Sequence, residues 1–256
     1  MHIGIINLMP DPELYINEIT SLLKGYSYDL SWIHLSDKKN GHQSAQVPDF
    51  HYPTLQQAKP FDLIVVTGAP VEKLRFEDVE YWQELCAILH DAISNGTRLL
   101  GVCWGAMAVA KLYGLDKQVS TNKAFGVYGF SNPQPSLPLM EGMEETFHWP
   151  VSTYATFNTQ QADALISSGG WLGIGKHPDI GYGLLCSTNQ QILLSLGHPE
   201  YSPQRLLNEY LRDSAQGLNT AFPSGLTEDD PVTFRHAKNT CVFSNWLYGI
   251  YINNKD

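Results

Sequence analysis

Basic residues are scarce in this chain, with 16 lysines and arginines against 26 aspartates and glutamates and a formal net charge of −10. No basic run is longer than Lys38-Lys39. Neither a nucleic-acid backbone nor an anionic membrane surface would find a docking stripe on it. Cysteine is sparse as well. Cys86, Cys103, Cys186 and Cys241 lie far apart and form no Cys-x-x-Cys pair, which argues against a zinc knuckle or a disulfide framework and fits a reducing cytoplasm. The histidines and cysteines lack ligand-like spacing, so no metal site is expected. Long hydrophobic runs are missing too. The longest apolar stretch, around residues 99–110, is too short to span a bilayer and is broken by glycines. The opening MHIGIINLMP has no basic leader and runs straight into Asp11 and Glu13, so it reads as a buried first strand and not as a signal peptide. There is no internal repeat and no low-complexity tract.

What is present is ample apolar material, 43% of 256 residues, enough for one large α/β domain over residues 1–256. Apolar runs at residues 3–8, 61–67 and 98–103, each bounded by turn residues, read as buried parallel strands. Between two of them, residues 77–94 carry Val79, Trp82, Leu85, Cys86, Leu89 and Ile93 at spacings of three and four, with Asn95-Gly96 as a stop. That spacing predicts a helix. The alternation predicts a doubly wound, mostly parallel sheet. Residues 36–60 are polar and proline-bearing, and read as a surface excursion. Beyond Gly114 shorter strands are expected at 125–130, 147–157, 171–176, 180–187 and 192–196, some of them antiparallel. Helices are expected at 203–217 and 240–252.

One run stands out, Leu99-Leu100-Gly101-Val102-Cys103-Trp104-Gly105-Ala106-Met107. It places a cysteine where a strand turns directly into a helix, and the flanking glycines permit a sharp turn. Cys103 should then be exposed at the strand's carboxyl end, with the Trp104 amide aimed at the sulfur from the helix N-terminus. Such amides favour a thiolate and offer donors to an oxyanion. The plain alternative is a small buried hydrophobe. A nucleophilic thiol needs a base, and the base needs an orienting acceptor. Gly197-His198-Pro199-Glu200-Tyr201 supplies both directly after the apolar run 192–196. His198 therefore falls at a strand end, level with Cys103. The other eight histidines lack this context.

At these residues the chain resembles two related groups on one α/β scaffold. The class I glutamine amidotransferases share the cysteine elbow and the His-Pro-Glu turn in outline. The homoserine O-acyltransferase family is similar through Asn7-Leu8-Met9-Pro10, Val66-Thr67-Gly68-Ala69-Pro70-Val71-Glu72, Phe76-Glu77-Asp78-Val79-Glu80-Tyr81-Trp82, the Cys103 and His198 motifs, and Phe243-Ser244-Asn245-Trp246-Leu247. The resemblance implies a flavodoxin-like, amidotransferase-like fold and a ping-pong mechanism. Cys103 would take an acyl group from acyl-CoA, His198 would activate an amino-acid hydroxyl, and Glu200 would orient His198. The oxyanion donors would be the amides of Trp104 and of the loop beginning at Gly68. Lys123 would lie near the acyl or CoA site, Ser152 at the acceptor site, and Arg212 on the acceptor's carboxylate; a solvated surface charge is the plain alternative for Lys123 and Arg212. Glu72 bears on the donor, because that family position holds glutamate in acetyl-transferring members and glycine in succinyl-transferring ones. A succinyl carboxylate about 4 Å from Glu72 would cost up to about 4 kcal/mol at an effective dielectric near 20.

The resemblance thus implies an O-acetyltransferase of sulfur amino-acid biosynthesis acting on L-homoserine, with acetyl-CoA as co-substrate, no bound cofactor and a homodimeric assembly. L-Serine as acceptor and succinyl-CoA as donor stay open. Glutamine amidohydrolysis is the rival from another reaction class, and a catalytically inactive binding module is a third reading. Departures from the family fall at Asp11-Pro12, where two lysines are usual, at residues 40–53, at Gly129-Phe130 and at Thr153. Most lie in acceptor or dimer-contact regions.

Overall fold

The apolar runs become strands and the three-and-four spacings become helices. In chain order the elements are β1 (His2–Ile6), α1 (Pro12–Leu22), β2 (Asp29–Ile33), β3 (Asp49–Phe50), β4 (Leu63–Val66), α2 (Trp82–Ser94), β5 (Arg98–Val102) and α3 (Trp104–Lys111). There follow β6 (Lys117–Ser131), β7 (Thr146–Phe157), α4 (Thr159–Ser167), β8 (Trp171–His177), β9 (Gly181–Ser187), β10 (Ile192–Ser195), α5 (Pro203–Ala215) and α6 (Cys241–Asn253). The computed structural model describes residues 1–9, 12–23, 25–35, 49–50, 61–132, 134, 136–218, 220–226 and 241–253. Apart from β3, the excursion expected at 36–60 lies outside the described residues.

Among the described residues ten strands form one sheet in the order β3-β2-β1-β4-β5-β10-β9-β8-β6-β7. The first six pair in parallel, and from β10 onward every pairing is antiparallel. The expected parallel sheet is therefore the half built from β3 to β10, and β9, β8, β6 and β7 extend it as antiparallel strands. Composition explains the division. All four side chains of β4 are buried, as are all four of β10, the continuous apolar pattern of strands covered on both faces. β6 instead begins with an exposed polar stretch through Ser120, Thr121 and Asn122, and a register shift between Val119 and Ala124 marks its bend.

Helix α2 buries Trp82, Leu85, Ile88, Leu89 and Ala92, and stops where Gly96 takes φ +72°. It starts later than residue 77. Residues 76–78 form a separate 3-10 turn that holds Glu77 and Asp78, and Val79 after it is extended at ψ 120°. The C-terminal α6 buries Val242, Phe243, Trp246 and Leu247. Its Trp246 Nε1 donates to the Gln190 carbonyl at 2.9 Å. Among the described residues no helix is long and apolar enough to cross a membrane.

Candidate active site

The carboxyl ends of β1, β4, β5 and β10 open on the same edge of the sheet, and the residues that follow them line one cavity of about 440 Å³. That is where parallel α/β sheets place their ligands. Thr67 ties two of these ends together, its hydroxyl oxygen accepting from the Leu8 amide at 2.7 Å while the hydroxyl donates to the Gly68 carbonyl at 3.0 Å. At the end of β5 the chain reverses at Cys103 itself, which takes φ 52° and ψ −115° before α3 begins. The flanking glycines do other work than the turn. A Cβ on Gly105 would stand 2.2 Å from the Val66 carbonyl oxygen, and one on Gly101 2.6 Å from the Ala106 Cα. Both are places where only glycine lets α3 seat against the sheet, and the strained torsion falls on the cysteine.

The Cys103 amide donates to the Ser195 carbonyl at 2.7 Å, so β5 and β10 stay paired to their last residues. Three residues past that carbonyl comes His198, its own amide held by the Pro150 carbonyl at 2.8 Å. Cys103 and His198 thus meet across two adjacent parallel strands. Gly68 lies between them, its missing Cβ 3.5 Å from the Cys103 Cβ and 3.6 Å from the His198 Cε1. The expectation of an exposed thiol is corrected here. Cys103 is only 6% exposed, because Met9, Gly68, Ala69 and Pro70 wall the cavity that reaches it.

His198 Nδ1 sits 2.8 Å from Glu200 Oε1, with both side chains buried. The ring stacks on Tyr201 with centroids 4.0 Å apart, and Cys103 stands near it across Gly68. Burial alone would lower the imidazole's pKa, but Glu200 and Cys103 outweigh it and raise the pKa well above the usual histidine value. A raised imidazole pKa favours the protonated ring, the charge that helps a neighbouring sulfur act as a nucleophile. Trp104 is fully buried, its indole packed against Phe76, Tyr81 and Trp82. That packing anchors the first turn of α3 behind the sulfur.

Glu72, Lys123, Ser152 and Arg212 all line the cavity with Cys103 and His198, while Glu200 and Trp104 stand behind its wall. Lys123 is no solvated surface charge, lying 3.6 Å from Asp213, 3.8 Å from Glu209 and 4.3 Å from the Phe125 ring centroid. Arg212 remains half exposed, its guanidinium 2.6 Å from Asp213. Sequence reasoning missed Glu209. It is buried and lines the cavity, accepting from Ser152 Oγ at 2.6 Å and from the Tyr201 hydroxyl at 2.9 Å. The signal was available, since Leu206, Glu209 and Asp213 recur at spacings of three and four on the buried face of α5. Also unforeseen is Glu18 on α1, 3.8 Å from Arg205. Burial, only partly offset by Arg205, lifts its pKa to about 7, and Glu200 adds to the rise. Among the described residues no group of three or more His, Cys, Asp or Glu side chains could hold a metal ion.

The family profile described as homoserine O-succinyltransferase matches residues 1–255. A homoserine O-acetyltransferase of Clostridium acetobutylicum is 33% identical over 264 residues, covering 98% of this chain and 86% of its own. A homoserine O-succinyltransferase of Shewanella piezotolerans is 30% identical over 262 residues, covering 98% and 82%. Among solved structures, a glutamine amidotransferase of Methylobacillus flagellatus superposes with a TM-score of 0.64 at 15% identity, over 97% of this chain and 94% of its own. Another, from Thermotoga maritima, gives 0.60 at 10% over 98% and 97%. At such identities the likeness is one of fold alone.

Proposed function

The chain belongs to the homoserine O-succinyltransferase family, and from that premise we propose that it moves an acetyl group from acetyl-CoA, through a thioester on Cys103, to the hydroxyl of L-homoserine. The observation that carries the reading is the placing of Cys103 beside a His198 that pairs with Glu200 at 2.8 Å, at the end of a cavity whose wall includes a carboxylate, Glu72.

In the first half-reaction the Cys103 sulfur attacks the thioester carbonyl, and the oxyanion forms between the backbone amides of Trp104 and Gly68. The C–S bond to CoA breaks, and the departing thiolate takes the proton from His198. In the second half-reaction the acceptor hydroxyl gives its proton to the now neutral His198 as its oxygen attacks the acyl-enzyme, and the Cys103 thiolate leaves. Glu200 keeps the imidazole in register in both steps and balances its charge. The acceptor's two charges match what the cavity offers, with Arg212 toward the carboxylate and Glu209 with Ser152 toward the ammonium. The same reading makes residues 1–256 one acyltransferase domain with no resident cofactor, with acetyl-CoA and the amino acid as its partners in the cytoplasm.

Glu72 sets the donor. Relatives carry both the acetyl and the succinyl name, so the choice rests on electrostatics, a succinyl carboxylate meeting the Glu72 carboxylate in the cavity. The test is kcat/KM for acetyl-CoA and succinyl-CoA, with L-homoserine and L-serine as acceptors, in the wild type and in Glu72→Gly. The expected result is a preference for acetyl-CoA and L-homoserine in the wild type, and a shift of about tenfold or more toward succinyl-CoA in the variant. Donor ratios that stay the same in Glu72→Gly would remove Glu72 from the account. Ammonia release from L-glutamine at a comparable rate would return the chemistry to amide hydrolysis.

A further inference from the structure

Past the rim of the acyl cavity the loop that follows β4 builds a second cleft. Glu72 lines the first cavity, and the next residue, Lys73, lines a neighbouring one of about 370 Å³ with Arg75, Lys111 and Lys117. The two share a wall, because Lys73 Nζ lies 3.4 Å above the ring centroid of Tyr154 and that tyrosine lines the first cavity. Four cations in one cleft stand out on a chain of net charge −10.

Two of the four are already matched, Arg75 by Glu77 at 3.5 Å and Lys111 by Asp116 at 2.6 Å. Lys73 and Lys117 have no carboxylate partner among the described residues. Lys117 is half buried, donating to the Leu74 carbonyl with its ammonium 4.1 Å from the Phe76 ring centroid. Burial lowers its pKa and outweighs the opposing pull of Asp116, Glu77 and Glu72, none of them within ion-pair distance, while the nearby Lys111 pushes the same way as burial. An ammonium left desolvated beside another gains most from a multivalent anion. The rim adds an apolar element. Leu74 and Val119, 47% and 48% exposed, both line this cleft, and a flat heteroaromatic ring would cover them. Unmatched cations beside an exposed apolar rim are the chemistry of a phosphorylated nucleoside. The acidity of the rest of the surface disfavours a polymer of them.

We propose that this cleft holds the phosphate and nucleoside end of the acyl-CoA donor while the thioester reaches past Glu72 to Cys103. The proposal rests on the acyl-CoA reading given above. The experiment compares acetyl-CoA with acetylpantetheine, which carries the same thioester without phosphate or nucleoside, in the wild type, in Lys73→Gln and in the Lys73→Gln/Lys117→Gln double variant. In the double variant KM for acetyl-CoA should rise by about tenfold or more, the order expected from losing charge-assisted contacts, with kcat little changed and acetylpantetheine kinetics unaltered. Lys73→Gln, at an exposed position that leaves the Lys117 bond in place, should show a smaller rise of the same kind. Adenosine 3′,5′-bisphosphate should bind the wild type in calorimetry and lose that binding in the double variant. An equal change for both thioesters, an unmoved KM for acetyl-CoA, or bisphosphate binding unaffected by the substitutions would overturn the proposal. If neither thioester acylates Cys103, the acyl-CoA reading itself fails, and the bisphosphate titration still decides whether the cleft binds a nucleotide.

Discussion

Cys103 sits at φ 52°, a torsion a non-glycine residue keeps only when its surroundings impose it. Here the Ser195 carbonyl on one side and the buried Trp104 on the other impose it. The residues legible in the sequence, Cys103, His198 and Glu200, each belong to a short motif at a strand end, where position follows from the chain alone. Glu18 was not legible, because its environment is made by helix α5 and the His198 turn arriving from far along the chain. Its pKa gives a stability prediction with a definite sign. A carboxyl raised from 4.5 to about 7 by folding binds its proton more tightly in the native state, so it stabilises most below pH 4.5 and that contribution is lost as pH rises toward 7. His198, also raised, contributes in the same direction, its share beginning to fall near its ordinary value of 6.5 and going as pH climbs through the raised one. Replacing Glu18 by Gln should therefore flatten the decline in unfolding free energy between pH 5 and pH 7.5 by about 2–3 kcal/mol. Urea unfolding at the two pH values measures it; parallel declines in the two proteins would rule out a titrating Glu18.

At the scale of elements, the parallel half of the sheet was legible because buried strands such as β4 and β10 write themselves as unbroken apolar runs. The start of β6 was not, since its exposed residues from Gln118 to Asn122 carry no apolar alternation and only Lys117, Gln118 and Val119 pair with β7 before the register shift. Helix α4 also went unread. Its cue is local, the Asn158 side chain accepting from the Gln161 amide at 3.0 Å, and only Ala162 is fully buried along it, so the helical stripe is faint. The flanking glycines of the elbow were read for torsional freedom when the need was space. Gly105→Ala would force a methyl to 2.2 Å from the Val66 carbonyl oxygen, a backbone atom with nowhere to move. That substitution should destabilise the fold by about 3 kcal/mol and, by displacing α3, slow the reaction of Cys103 with iodoacetamide. A protein with wild-type unfolding midpoint and wild-type alkylation rate would contradict the packing argument.

For the molecule as a whole, four strand ends converge on one cavity, and the residues singled out from the sequence either line it or brace it from behind. Topology brings them together. β10 lies beside β5 in the sheet although some ninety residues separate them in the chain, so His198 reaches Cys103 only once the antiparallel strands have carried the chain out and back. This explains why a sequence with few basic residues and few cysteines can still concentrate one thiol, one imidazole and several cations in a single region. The central claim is that Cys103 carries the acyl group. Intact mass spectrometry after mixing with acetyl-CoA, followed by peptide mapping, tests it most directly. The account predicts a gain of one acetyl group on Cys103, absent in Cys103→Ala and discharged when L-homoserine is added. An adduct on another residue, an adduct that persists with the amino acid, or turnover without any adduct in the wild type would contradict it.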